Sequence, residues 1–154
     1  MNYSFFYWRQ SPRGNVKFGI THLPWERLRM FQQGTDEEIQ FDHLWLLKAD
    51  HSWELEKIEE VLKYHYRELC LRNDTQRTGH SEWFKQLDLK SFQYNINKLA
   101  EKYGVAIKKI ALDKPYTATK SSLCPFNSPS NSRHQDKRHI YEWTERFWNS
   151  IPTK

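Results

Sequence analysis

The chain has 154 residues, 24 Lys+Arg against 19 Asp+Glu, a formal net charge of +5 and a mean hydropathy of −0.92, with 16% of residues aromatic. This is the length of one domain with room for an appendage, long enough for a substantial aromatic-rich core. No apolar run suits a membrane span, and Met1 to Arg9 lacks the basic start, apolar stretch and cleavage site of a signal peptide, so no membrane association and a cytoplasmic, intracellular location are expected.

Cys70 and Cys124 stand far apart with no CxxC or Cys/His spacing, and no two histidines form a metal signature such as HExxH; a structural zinc site or disulfide framework is not expected. The charge is uneven. Residues 1–84 carry 11 Lys+Arg and 13 Asp+Glu, a net −2, whereas residues 85–154 carry 13 and 6, a net +7. A basic second half suits either a solvated surface or a phosphate-binding one.

In chain order, residues 3–9 are aromatic and extended in character, residues 11–15 (Ser-Pro-Arg-Gly-Asn) form a turn, and Val16 to Ile20 resumes an apolar run, which together predict a hairpin. Gly19 inside the second strand marks a bulge or a close approach to the backbone. Pro24 suits the first turn of a helix that presents Trp25, Leu28 and Phe31 on one face and ends near Gly34. Phe41 to Lys48 is too continuously apolar for a half-exposed strand and reads as a central one.

After Asp50-His51-Ser52 comes the strongest helical pattern, Leu55, Ile58, Leu62, Tyr66 and Leu69. Arg72 to Ser81 reads as a loop and Glu82-Trp83-Phe84 opens the next packed element, with Trp83 and Phe84 expected in the core. Ser91 to Tyr103 predicts an amphipathic helix stopped by Gly104, and Val105 to Leu112 a last short strand. Pro115 to Asp136 has linker composition, and Ile140, Trp143, Phe147 and Trp148 follow at helical spacing, as a tethered helix that packs back on the domain or meets a partner.

Tyr7 in an aromatic strand, a short hairpin, the strand Lys17-Phe18-Gly19-Ile20-Thr21, Arg27 eight residues after the glycine, a third strand and a glutamate-bearing helix occur here in that order. This succession resembles the GIY-YIG nuclease superfamily, in particular a phage-associated branch with a KIG-type second motif and a Glu-Trp-Phe tripeptide after the glutamate helix. The resemblance covers about residues 3–85. It implies an α/β (α+β) fold with a small three-stranded antiparallel sheet flanked by helices. On that reading residues 1–85 are the nuclease-like module, residues 86–114 a helix and short strand completing the domain, and residues 115–154 a Ser/Asn/Pro-rich linker and aromatic C-terminal helix.

The function it implies is metal-dependent endonucleolytic hydrolysis of DNA with Mg²⁺ or Mn²⁺, double-stranded DNA being the expected partner, as in phage or mobile-element homing or restriction-type nucleases acting in a host cytoplasm. The residue types suit that chemistry. Phosphodiester hydrolysis needs a divalent ion at the phosphate, a group that takes a proton from water, and a cation for the developing charge. Mg²⁺ binds through few carboxylates and keeps several waters, so a single glutamate is enough protein ligation.

Glu54, Glu56, Glu59 and Glu60 compete for that role. Glu59 lies at the edge of the apolar helix face, with Leu62 at +3 and Tyr66 at +7 as the family pattern has it, whereas Glu56, the fallback, and Glu60 point further toward solvent. All four also suit the solvated face of a helix.

By resemblance Arg27 braces the scissile phosphate, with Arg29 as a substitute, and Tyr7 positions phosphate or activates water. Lys17 stands where many members carry a second tyrosine, which leaves the general base open between Tyr7 and Lys17. His22 is a further candidate for phosphate contact or proton shuttling. Glu82 is a candidate second carboxylate or loop anchor, and Asn73 a candidate for the family's asparagine. Lys108, Lys109, Arg133, Lys137 and Arg138 are the expected nucleic-acid contacts, with Trp143 and Trp148 available for base stacking or for closing the core. The alternative function is a catalytically inactive nucleic-acid-binding protein on the same scaffold.

Overall fold

The computed structural model describes residues 2–32, 41–72, 82–112 and 137–151. The hairpin lies where its turn residues place it. β1 (Asn2–Gln10) and β2 (Val16–Thr21) pair antiparallel with Tyr7 opposite Gly19 and Arg9 opposite Lys17. The turn between them is closed by Ser11 N–H donating to Asn15 O at 2.8 Å, with Gly14 supplying the positive φ of +87°. Thr21 Oγ1 then accepts from Leu23 N–H at 3.2 Å and turns the chain into α1 (Pro24–Gln32), whose first residue is the proline.

β1 is flanked on its other side by β3 (His43–Ala49), again antiparallel. This central trio matches the sheet expected from sequence, but the sheet is larger: β4 (Cys70–Arg72), β5 (Glu82–Phe84) and β6 (Ala106–Lys109) extend it to six antiparallel strands in the order β4-β5-β2-β1-β3-β6. The expectation of three strands is corrected for a physical reason. β6 is the last short strand expected within Val105 to Leu112, here added to the β3 edge, whereas β4 and β5, of three residues each, are too short to carry a period-two pattern and are recruited by the other open sheet edge in the folded protein.

Alternation along the strands sends two sets of side chains to opposite faces. Phe6, Trp8, Phe18, Trp45 and Leu47 face α2 (Ser52–His65) and α3 (Leu89–Tyr103), which contribute Leu55, Ile58, Leu62, Phe92 and Ile96. Fully buried Phe92 is the hub of this layer, its ring centroid 4.6 Å from Trp8 and 5.0 Å from Phe18. Asp88 caps α3 by accepting from Ser91 N–H at 3.0 Å, and Gly104 ends it in the left-handed region at φ +68°.

The helical pattern expected to run through Leu69 stops earlier. α2 ends at His65, Arg67–Leu69 forms a 3-10 turn, and Leu69 is exposed; its carbonyl accepts from Lys85 N–H at 2.8 Å, beside the start of β4. The apolar period continues there while the backbone already serves the sheet.

The other face buries Tyr3, Phe5, Tyr7, Leu44 and Leu46 under Leu28 of α1 and under Phe147, Trp148 and Ile151 at the end of α4 (Lys137–Ser150). Phe147 stacks on Phe5 with centroids 6.0 Å apart, and Lys108 Nζ donates to the carbonyls of Trp148 and Ile151 at 3.0 Å each. The C-terminal helix therefore packs back on the domain, giving three layers with the sheet in the middle. Among the described residues no helix is long and apolar enough to cross a membrane.

Candidate active site

β5 touches β2 only at Val16 opposite Phe84, so the outer edge of β2 from Phe18 onward is not covered by that strand. Into this gap comes Glu59 from α2, and Ile20 N–H donates to its Oε2. An orphan N–H of a sheet edge is thereby satisfied by a side chain of the helix layer.

Tyr7 arrives from the opposite direction. It sits on β1 directly across from Gly19, and a Cβ placed on Gly19 would lie 2.8 Å from Tyr7 Oη, 3.1 Å from Tyr7 Cζ and 3.1 Å from Glu59 Oε2. The phenol thus passes over β2 through the space a side chain would fill. Gly19 is in regular register and makes no bulge; of the two roles read from sequence, close approach is the one the geometry supports. Tyr7 Oη and Glu59 Oε2 both border the same point and lie within about 6 Å of each other by those two distances.

Electrostatics tie further groups to this point. Burial pushes the Tyr7 phenol up to about 12, while the Arg27 guanidinium lowers it, the Glu59 carboxylate raises it and Arg9 lowers it. Arg27, half-buried on α1, therefore acts on the same pocket as Glu59 of α2, from the helix layer on the other face of the sheet. Lys63 Nζ lies 3.7 Å from Glu59 Oε1, one helical turn on.

The four competing glutamates separate by contacts. Glu54 accepts from His51 N–H at 2.9 Å and caps α2; Glu60 is exposed and pairs with Lys57 at 3.5 Å; Glu56 is exposed. Of the four, Glu59 is the one that reaches β2. Lys17 is buried two residues along the strand, its ammonium 5.0 Å from the centroid of Phe31 and 5.8 Å from that of Trp83.

His22 lies three residues beyond Gly19 in the other direction, exposed, with Nδ1 3.2 Å from the Tyr3 carbonyl; it is not brought to the Tyr7–Glu59 point. Trp83, expected in the core with Phe84, is only half-buried on the face that carries Lys17. Asn73 lies outside the described residues, as do the side chains of Arg29 and Glu82.

The expected nucleic-acid contacts do not assemble into one described surface. Lys108 is committed to the end of α4 through two carbonyls and the Trp148 ring, 4.5 Å away. Lys109 is exposed at the edge strand β6, where it adds to burial in lowering the pKa of His43. Arg133 lies outside the described residues, as do the side chains of Lys137, Arg138 and Trp143; Trp148 closes the core.

Among the described residues no group of three or more His, Cys, Asp or Glu side chains comes together, so any donor set of described side chains is small, with Glu59 the carboxylate at the Gly19 point. That set fits a hard cation that keeps most of its waters: Glu59 is partly exposed and a carboxylate retains lone pairs beyond those facing Ile20 and Lys63. Arg9 and Lys63 were not singled out from sequence. Period-two alternation from Tyr7 and the i, i+4 step from Glu59 are the signals by which the sequence could have shown them. No known protein family matches this chain, and comparison with characterised proteins and with solved structures likewise finds no match.

Proposed function

We propose that the protein is a divalent-metal-dependent endonuclease that hydrolyses DNA phosphodiester bonds at the Tyr7–Gly19–Glu59 point, the chemistry implied by the resemblance to GIY-YIG nucleases. The observation that carries this reading is the convergence of Tyr7 Oη and Glu59 Oε2 on the space opened by Gly19, with the Arg27 charge acting on the same phenol.

Glu59 would hold a Mg²⁺ or Mn²⁺ ion, which supplies polarisation of a phosphoryl oxygen and charge neutralisation at the leaving oxygen. Arg27 braces the phosphate and takes up charge that develops on it. Tyr7, whose phenol is held up to about 12, keeps its proton at neutral pH and so acts as a hydrogen-bond donor that orients the phosphate. Gly19 keeps the strand clear so that tyrosine and carboxylate face one substrate atom.

Incubation of purified protein with supercoiled plasmid and Mg²⁺ tests the proposal. Glu59→Gln and Arg27→Ala are each expected to lower nicking on the order of 10²–10³-fold with the fold intact by circular dichroism, the usual effect of removing one preorganised charge from such a site. Wild-type rates in both variants would overturn the assignment.

A second reading, a nucleic-acid-binding protein without catalysis, draws on the engagement of Glu59 by Ile20 N–H and Lys63 and on the protonated state of Tyr7. Salt-sensitive DNA binding with no cutting of linear, supercoiled or branched DNA in Mg²⁺ or Mn²⁺ would favour it.

A further inference from the structure

The two oxygens of the Glu59 carboxylate face different neighbours. Oε2 accepts from Ile20 N–H and borders the space above Gly19, whereas Oε1 lies 3.7 Å from Lys63 Nζ. Glu59 and Lys63 both belong to α2, with the glutamate on the N-terminal side, the order that favours an i, i+4 pair on a helix. A second ion pair on the same helix gives the contrast. Lys57 and Glu60 approach at 3.5 Å, but the Glu60 side chain is 71% exposed against 28% for Glu59, so that pair faces solvent while the first sits at the edge of β2.

A partly exposed i, i+4 pair contributes little to the stability of a fold. Its effect on a third charge is larger. A divalent cation that joins the Glu59 carboxylate meets an ammonium already in contact with it, and the repulsion grows with the product of the two charges. Mg²⁺ gives up its waters reluctantly and relies on few carboxylates, so where one glutamate is the protein ligand, a competing charge on that glutamate weighs heavily.

From this geometry we infer that Lys63 is the stand-in cation of the metal-free site: it neutralises Glu59 until a divalent ion takes the carboxylate, and so sets the metal concentration at which the site fills. This role presupposes the metal-dependent phosphodiester site proposed above and concerns its regulation. A purely structural Lys63 predicts the opposite sign. Were it there only to hold the carboxylate in place, its loss would loosen the ligand and weaken metal binding; as a competing cation, its loss strengthens it.

The test is Mn²⁺ binding by the full chain without DNA, followed at fixed ionic strength through the electron paramagnetic resonance signal of free Mn²⁺. Lys63→Met, which keeps an apolar stem, is expected to tighten binding on the order of fivefold, the scale of one ammonium acting on a divalent ion across a partly exposed contact at ~0.1 M salt. Lys63→Arg keeps the charge and is expected to stay within about twofold of wild type. Lys63→Gln is the second neutral variant should Lys63→Met not fold, and circular dichroism reports the fold of each. The Mg²⁺ concentration for half-maximal nicking is expected to fall with the Mn²⁺ dissociation constant.

Unchanged or weaker Mn²⁺ binding in the folded neutral variants, with binding abolished in Glu59→Gln, removes the competing role of Lys63 and leaves the nuclease proposal standing. Tighter, Glu59-dependent binding in a protein that cuts no DNA keeps the competition at Glu59 and removes the nuclease proposal. Mn²⁺ binding that Glu59→Gln leaves unchanged, or its absence in every form, overturns the role of Lys63 together with the metal assignment it depends on.

Discussion

At the scale of single residues, Gly19 and Tyr7 depend on one another. The contact of 2.8 Å between a Gly19 Cβ and Tyr7 Oη is closer than real Cβ atoms tolerate, and the neighbouring Tyr7 Cζ and Glu59 Oε2 at 3.1 Å leave little room to give. Gly19→Ala is expected to destabilise the fold by about 1–3 kcal/mol through overpacking and to displace the phenol from Glu59, read as a lower urea midpoint together with lost nicking. Tyr7 also makes stability depend on alkaline pH. Its folded pKa of about 12 exceeds the ordinary value of 10.0, so between these values the folded state binds more protons than the unfolded one. The stabilisation is complete below pH 10 and is lost as pH rises toward 12, by up to about 2–3 kcal/mol. Tyr7→Phe is expected to flatten that decline in urea titrations at successive pH values, and an equally steep decline in the variant would contradict the assignment to Tyr7.

At the scale of elements, α4 shows how a helix distant in sequence becomes part of the core. Its Phe147 and Trp148 cover Phe5 and Tyr3, and Lys108 of β6 donates to the carbonyls of Trp148 and Ile151 at its C-terminal end, where a cation also favours the helix dipole. Lys108→Met removes those charge-assisted bonds while keeping much of the stem. It is expected to cost about 1–3 kcal/mol in chemical denaturation. A change below about 0.5 kcal/mol would place Lys108 among ordinary surface residues. α1 and α2 play a different part. They lie on opposite faces of the sheet, yet Arg27 of one and Glu59 of the other act on the same phenol, because Glu59 reaches β2 at an edge that β5 leaves uncovered.

At the scale of the whole molecule, the sheet divides two aromatic cores and the candidate site lies at the β2 edge, where Glu59 comes round from the α2 side to the strand. Phe92 and its neighbours lock one face; α4 and part of α1 close the other. The remaining stretch of that face, beside β5, carries Arg9, Lys17, Gly19 and Tyr7. The net +7 of residues 85–154 does not describe this pocket: its cations Arg9, Lys17, Arg27 and Lys63 all come from the half of the chain whose net charge is −2. A charge count over a segment reports the segment's average, whereas binding depends on which side chains the fold gathers.

Elements with strong local signals are legible in the amino-acid order alone. The β1–β2 hairpin follows from its turn residues, α1 from Pro24, α3 from its apolar period and Gly104, and α4 from aromatic spacing. Periodicity also brought Glu59 to the edge of its helix face, and helical spacing set it apart from Glu56 and Glu60. Folding settles that Glu59 meets Ile20 N–H and borders the same point as Tyr7, that Lys108 serves α4, that Trp83 frames two cations, and that β4 and β5 join the sheet and β6 takes the β3 edge. The difference is one of range: turns, caps and hydrophobic periods act over a few residues, whereas sheet edges and shared pockets are settled by groups that are close only after the chain has packed.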